Sequence, residues 1–280
     1  MSTVTAENCP ASGAEYWEQA RHPLSSLVFL LPLLAIYEAG VVRLGGTGAD
    51  RFRNGADYWM RSWLGTAGIS TAMALPALVI IGLLVWHGLS RTKWKPSLDV
   101  LGGMLAESLL FAFCLILVGQ FIRVLFHHLH LPEFPGMLDA AGSQAAAISR
   151  TLGITLAAPA ATAPSAASAR MITFLGAGIY EEFMFRLCLL PLCLLLFRLM
   201  RLENRRAAFL AVVASSFAFA LAHHIGPNAE PVALFSFTFR AMAGMFFAGL
   251  FVLRGFGVTV GTHAAYDILV GVLLTGSTAA

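Results

Sequence analysis

The sequence predicts an all-α fold, a polytopic transmembrane helical bundle of about seven spans, and three observations lead there. Of 280 residues, 58% are hydrophobic and only 12% are charged, whereas soluble domains run near 45–50% and about 25%. The mean hydropathy of +0.76 belongs to a chain whose solvent is largely lipid. The apolar residues fall in continuous runs close to the roughly 20 needed to cross a bilayer. Lipid admits only helices or closed barrels, and a barrel would need short alternating strands instead.

The first run, 24–44, is long for a signal-peptide core and lacks a small-residue cleavage site, so it reads as an uncleaved first span. The second covers 66–89 and the third 98–126. A stretch rich in Ala, Ser, Thr, Gly and Pro follows at 139–168, a composition suited to a flexible loop. Four more runs complete the set: 169–200, 206–224, 232–253 and 257–275. The third and fourth are long enough to tilt or bend, with Pro191 as the cause of a bend in the fourth. The organisation is therefore a three-span region at 1–138, the loop at 139–168, and a four-span region at 169–280. No internal repeat is visible, which weighs against an inverted-repeat transporter.

The net charge of +3 is too small to suggest a nucleic-acid partner. Basic residues cluster between spans. Arg21, Arg91, Lys93, Lys95, Arg198, Arg201, Arg205, Arg206 and Arg254 fall on one side of a seven-span arrangement. Arg51, Arg53, Arg61, Arg150 and Arg170 fall on the other, so the richer side, with the amino terminus, is expected to be cytoplasmic. Cys9, Cys114, Cys188 and Cys193 match no zinc or redox spacing.

Ionisable residues inside the spans carry the functional information. Each costs about 2.5–3.5 kcal/mol at the bilayer centre, and the fourth span holds Glu181, Glu182 and Arg186. Glu182 and Arg186 stand at i and i+4 on one helical face, with the acid on the amino-terminal side, the better order for an ion pair. Glu181 is rotated by about 100° and lacks that partner. This divides the roles: Glu182–Arg186 supports, while Glu181 reacts, because a carboxylate in low dielectric can take a proton from water. His223 and His224 close the fifth span, and His263 and Asp267 share a face of the seventh. An imidazole can orient a nucleophilic water or stabilise an oxyanion.

Glu181-Glu182-Phe-Met-Phe-Arg186 reads as EExxxR, Phe219-Ala-Leu-Ala-His223 as FxxxH, and His263-Ala-Ala-Tyr-Asp267 as HxxxN/D. This ordered trio resembles the CPBP family of intramembrane endopeptidases, which includes CAAX prenyl-protein proteases and bacteriocin-processing and abortive-infection proteins. The resemblance implies that 169–280 is a four-span catalytic core hydrolysing a peptide bond in a membrane-embedded or lipid-anchored substrate. It implies that Glu181 and His223 activate water while His263 and Asp267 line the oxyanion region. Two positions depart from the pattern. Asp267 stands where relatives have Asn, and since an ionised Asp only accepts hydrogen bonds, it is expected to orient His263. Leu187 follows Arg186 where Gly is frequent. The first three spans carry no recognised motif.

Other readings stand beside this one. Glu181–Arg186 could be a structural ion pair, His223 and His224 a helix end, and His263–Asp267 an interhelical bond. His127, His128 and His130 fit an interfacial helix end. No cofactor is required, although zinc held by Glu181, His223 and His263 remains the metallo-type alternative; no HExxH occurs. Arg240 either pairs with a catalytic carboxylate or snorkels, and Glu38 and Glu107 are helix-bonding or cavity residues. Gly257, Gly261 and Ala265 form a close-packing face. A non-catalytic scaffold or immunity protein, or a transporter, are the alternatives in function. A multi-pass protein of the bacterial inner membrane is the expected setting.

Overall fold

The structure, a computed structural model, describes residues 13–45, 53–69, 72–90, 97–131, 166–225 and 229–274. The expected loop at 139–168 lies outside them up to residue 165. Among the described residues every regular element is helical.

A short amphipathic helix, α1 (Gly13–Ala20), precedes α2 (Pro23–Gly45). Then come α3 (Gly55–Thr66), α4 (Ala74–Ser90) and α5 (Leu98–His128). The motif-bearing part runs through α6 (Ala166–Gly176), two π-helical stretches (Ala177–Glu181 and Phe183–Leu189) and α7 (Leu190–Leu199). It continues through α8 (Asn204–Ala222), α9 (Leu234–Arg254) and α10 (Phe256–Ile268), which ends in a third π stretch, Leu269–Leu274. Helices α2, α5, α8 and α9 are long and apolar enough to cross a membrane, and α4 and α10 are shorter apolar helices. The protein is an integral membrane protein.

Two expectations need correction. The second apolar run does not form one helix from 66. Thr66 ends α3, a turn follows, and α4 begins at Ala74. Asn54 starts α3 by accepting the Asp57 N–H at 2.9 Å, a side-chain cap that replaces a missing helical acceptor. In the fourth run, the departure from α geometry is centred upstream of Pro191. The Leu190 N–H bonds the Phe185 carbonyl, five residues back. Pro191 sits in the first turn of α7, where a missing N–H does least harm.

Helix α5 shows how one sequence serves lipid and protein together. Ser97 caps it through the Val100 N–H, with Asp99 in the first turn and His127 and His128 in the last, all suited to the helix dipole. Leu105, Leu109, Phe113, Leu117, Phe121 and Val124 are exposed on its outward side. Met104, Ser108, Ala112, Leu115 and Ile122 are buried on the other. Apolar side chains covering the outside, with serine inside, is the pattern of a helix facing lipid.

The buried centre of the bundle is α10, whose residues from Phe256 to Ala264 are all buried. It packs against α2, α5, α9 and the first π stretch. Close approach explains its glycines: a Cβ on Gly257 would come within 2.5 Å of Met104 Cε, and one on Gly261 would overlap Ser108 Oγ. The expected packing face is therefore real at both positions. Near one end, the buried Arg254 guanidinium bonds Glu107 (Nε–Oε2 3.0 Å) and lies 3.9 Å from the Trp17 ring centre, fastening α1 to α5 and α9. Glu107 thus bonds helices together.

Candidate active site

Five elements converge: the two π stretches on either side of Glu182, the end of α8, α9 and α10. The first approach is made possible by Gly178. A Cβ there would sit 2.8 Å from both the Cβ and the backbone N of Ala264, so only hydrogen lets the π stretch lie against α10. That contact brings the two glutamates level with His263. π-Helical turns are rare and concentrate at functional positions, where one extra residue re-aims the side chains.

Glu182 and Arg186 form the buried side of the cluster, with side chains 0% and 1% exposed. Arg186 Nε lies 3.0 Å from Glu182 Oε2, an ion pair whose angle falls outside hydrogen-bond geometry. The guanidinium also donates from Nη2 to the Gly244 carbonyl at 3.2 Å and lies 4.6 Å from the Phe219 ring centre. The aromatic face and the carbonyl both favour a cation taken out of water.

Glu182 has a second task that sequence spacing did not reveal. Its Oε1 is 2.7 Å from His263 Nδ1, so Nδ1–H donates to the carboxylate and Nε2 is aimed the other way. Phe247 stacks on the imidazole, 4.5 Å between centres and 17° between planes, which fixes the ring in plane. The carboxylate that bonds Nδ1 is that of Glu182, and Asp267 approaches the ring from the other nitrogen. Asp267 Oδ2 is 3.5 Å from Nε2, the nitrogen on the reactive side.

His223 caps the end of α8 and is fixed in the same manner. Its Nδ1 is 2.8 Å from the Phe219 carbonyl. A carbonyl only accepts, so Nδ1 carries the proton and Nε2 presents a lone pair. His223 thus stands at the helix end and at the same time turns Nε2 toward Glu181. His224 points elsewhere, donating from Nδ1 to the Glu230 carbonyl at 3.0 Å and stacking on Phe237.

Both free imidazole nitrogens face Glu181. Its Oε2 is 3.7 Å from His223 Nε2 and 3.9 Å from His263 Nε2. These separations exceed a direct hydrogen bond and suit one shared water. Glu181, His223 and Asp267 side chains are 14%, 16% and 21% exposed, against 0% for Glu182, so the accessible side of the cluster is theirs. Oε2 has no hydrogen-bond partner among the described residues, whereas Oε1 accepts from Asn54 Nδ2 at 3.2 Å.

Sequence reasoning missed that last contact and the polar group behind it. Tyr37 donates to Asp57 at 2.7 Å, Tyr180 donates to Glu38 at 2.6 Å, and Arg53 and Arg61 each bridge Glu38 and Asp57. The available signal was Asn54-Gly-Ala-Asp57, a helix start, with two arginines of matching charge close by. Arg240, left open by the sequence, pairs with Glu230 at 2.6 Å. Among the described residues no group of three or more His, Cys, Asp or Glu side chains is disposed to hold a metal ion. His127 and His128 end α5 with their rings 6.0 Å apart, away from these residues in the chain and outside every contact named here.

Residues 163–269 match the family described as type II CAAX prenyl endopeptidase Rce1-like, which belongs to the CPBP group. The matched range contains all three motifs. Neither a curated protein nor a solved structure matches the chain.

Proposed function

We propose that this Rce1-like segment is an intramembrane endopeptidase of the glutamic type, cutting a membrane-embedded or lipid-anchored protein without a metal. The match to CAAX-type intramembrane proteases supports peptide-bond hydrolysis in general. The observation that carries the specific reading is Glu181 Oε2, free of protein donors and facing two imidazole nitrogens at one-water distance.

In this mechanism a water lies between Glu181 Oε2 and His223 Nε2. Its oxygen attacks the scissile carbonyl carbon as one proton passes to Glu181. The resulting oxyanion is stabilised by His263 in its imidazolium form, donating from Nε2 while Glu182 holds Nδ1. Glu181 then returns its proton to the leaving nitrogen and the C–N bond breaks. The second water proton leaves with the new carboxyl group. Asp267, beside Nε2 of His263, favours the cationic imidazole and need not donate to the oxyanion.

A metallo-type site is the second reading. It is favoured by the two histidines, each with Nδ1 bonded to oxygen as metal ligands usually are. Ligands about 2.0–2.1 Å from a tetrahedral zinc stand roughly 3.3 Å apart, closer than the 3.7 and 3.9 Å separations here. We assign the amino terminus to the cytoplasmic side of the membrane, from the excess of Lys and Arg on one side.

The experiment uses the full chain in proteoliposomes with two probes, a farnesylated CAAX-type peptide and an unprenylated transmembrane peptide. Mass spectrometry is expected to find new termini with wild type and none with Glu181→Gln. Equal cleavage by both proteins, or none by either, overturns the proteolytic reading in favour of a scaffold or transporter.

A further inference from the structure

Among the described residues, the region without recognised motifs reaches Glu181 by a hydrogen bond from the side chain of Asn54. This residue is 5% exposed and both ends of its amide are engaged. Oδ1 accepts the Asp57 N–H at 2.9 Å, as the cap of α3. That bond decides which way the amide faces, because only an oxygen can accept there. Nδ2 is then turned to Glu181 Oε1, 3.2 Å away, and must act as donor. The N-cap bond and the Glu181 bond thus fix each other.

Asn54 is itself rigidly held. Asp57, one helical turn away, is fully buried and receives Arg53 (2.8 Å), Arg61 (2.5 Å) and Tyr37 (2.7 Å). The same cluster holds Tyr180, the residue before Glu181, through Glu38. Two consecutive residues of the π stretch are therefore tied to α2 and α3 by separate hydrogen bonds. A π turn is less regular than an α turn and gains definition from such outside contacts.

We propose that Asn54 is a positioning residue that orients the Glu181 carboxylate. By occupying Oε1 it leaves Oε2 as the oxygen directed at His223 and His263, and it limits rotation of the carboxylate. The proposal rests on Glu181 being the base and assigns α2 and α3 a part in catalysis beyond packing. The local geometry gives a direct consequence: misplacing a reacting group by about 1 Å can cost on the order of 100-fold in rate.

The test separates the cap from the orienting bond. Asp and Ser are as good as Asn at a helix N-cap, but neither can donate to Glu181 as the amide does. Asn54→Asp and Asn54→Ser are compared with wild type and Glu181→Gln in proteoliposomes, using whichever of the two probe peptides wild type cuts. Unfolding temperature, kcat and KM are measured for each. The expected result is an unchanged KM in both, an unchanged unfolding temperature for Ser and a lower one for Asp, whose buried charge opposes Glu181, with kcat lower by roughly tenfold for Ser and about 100-fold for Asp. Wild-type kcat in either variant overturns the inference while Glu181→Gln still supports the glutamate mechanism. A large fall in unfolding temperature in both variants makes Asn54 structural and also overturns it. Activity in Glu181→Gln, or an inert wild type, removes the catalytic reading itself and the inference with it.

Discussion

Two buried carboxylate clusters lie side by side in this protein and differ in how completely they are satisfied. In the cluster joining α2 and α3, Glu38 and Asp57 face Arg53 and Arg61, so the formal charges balance. Every carboxylate oxygen there has a donor: Tyr180 and Arg61 on Glu38 Oε1, Arg53 on Oε2, Arg61 on Asp57 Oδ1, and Tyr37 and Arg53 on Oδ2. In the cluster around the glutamate pair, Glu181 Oε2 has none among the described residues, and Asp267 brings a third acid beside His263, while Arg186 is paired with Glu182 and Arg240 with Glu230. A fully paired buried network rigidifies, and an incompletely paired one is costly unless it does chemistry. The contrast teaches which acids to test for stability and which for activity.

The largest effect is expected from Glu181→Gln, which keeps shape and loses the base. General-base catalysis contributes about 10²–10⁴-fold, so cleavage measured by mass spectrometry should fall by that factor or more. Thermal unfolding in detergent should stay close to wild type, because Gln still accepts from Asn54. Next is Glu182→Gln, which leaves the buried Arg186 cation without its counter-charge and weakens the hold on His263. Breaking one side of a buried ion pair costs about 3–5 kcal/mol, to be read as a lower folded yield in size-exclusion profiles and a lower unfolding temperature. Matching stability and matching activity in these two variants would erase the distinction between their roles.

In the satisfied cluster, Tyr180→Phe removes one charged hydrogen bond, for which about 1.5–3 kcal/mol is typical. Unfolding should shift downward while Glu38 keeps both arginines, and kcat should change less than in Asn54→Asp. A kcat loss equal to that of Glu181→Gln would place Tyr180 among the reacting groups. The smallest effect is expected from metal removal. Dialysis against a strong chelator should leave activity intact, and the purified protein should hold far less than one equivalent of zinc by elemental analysis. Stoichiometric zinc with activity restored on its return would replace the glutamic mechanism by the metallo type.

Most of the membrane architecture was legible because burial in lipid writes itself into composition. Runs such as 98–126 and 232–253 correspond closely to α5 and α9, since few residues other than apolar ones can occupy such positions. The motif residues were legible for the opposite reason: Glu181, Glu182, His223 and His263 are conspicuous wherever charge is expensive. The Glu182–His263 bond was not, because partners 81 residues apart leave no periodicity to read. Asn54 escaped for a different reason. It stands in a polar stretch between spans, where asparagine before a helix is ordinary, and only the fold turns its amide toward Glu181. Nor does hydropathy separate π from α turns, so the winding of 177–189 had to come from the backbone itself.

That winding stores information as a surplus of chain. A π turn closes over five residues instead of four, so each such stretch holds slack that a plain helix would not need. Deleting one residue between 183 and 189 would let the backbone recover ordinary pitch without moving either end far. Side chains on either side of the stretch would keep their directions, while those within it would each be re-aimed by up to one helical step, about 100°. A deletion at 183, 184 or 185 would change the Glu182–Arg186 spacing from i,i+4 to i,i+3 and so alter how the pair meets, even though no remaining amino acid had changed. Such a deletion should give a protein of normal helical content that no longer cuts its substrate, a defect of arithmetic rather than composition. Circular dichroism and peptide release measured on the same preparation would distinguish it from simple unfolding.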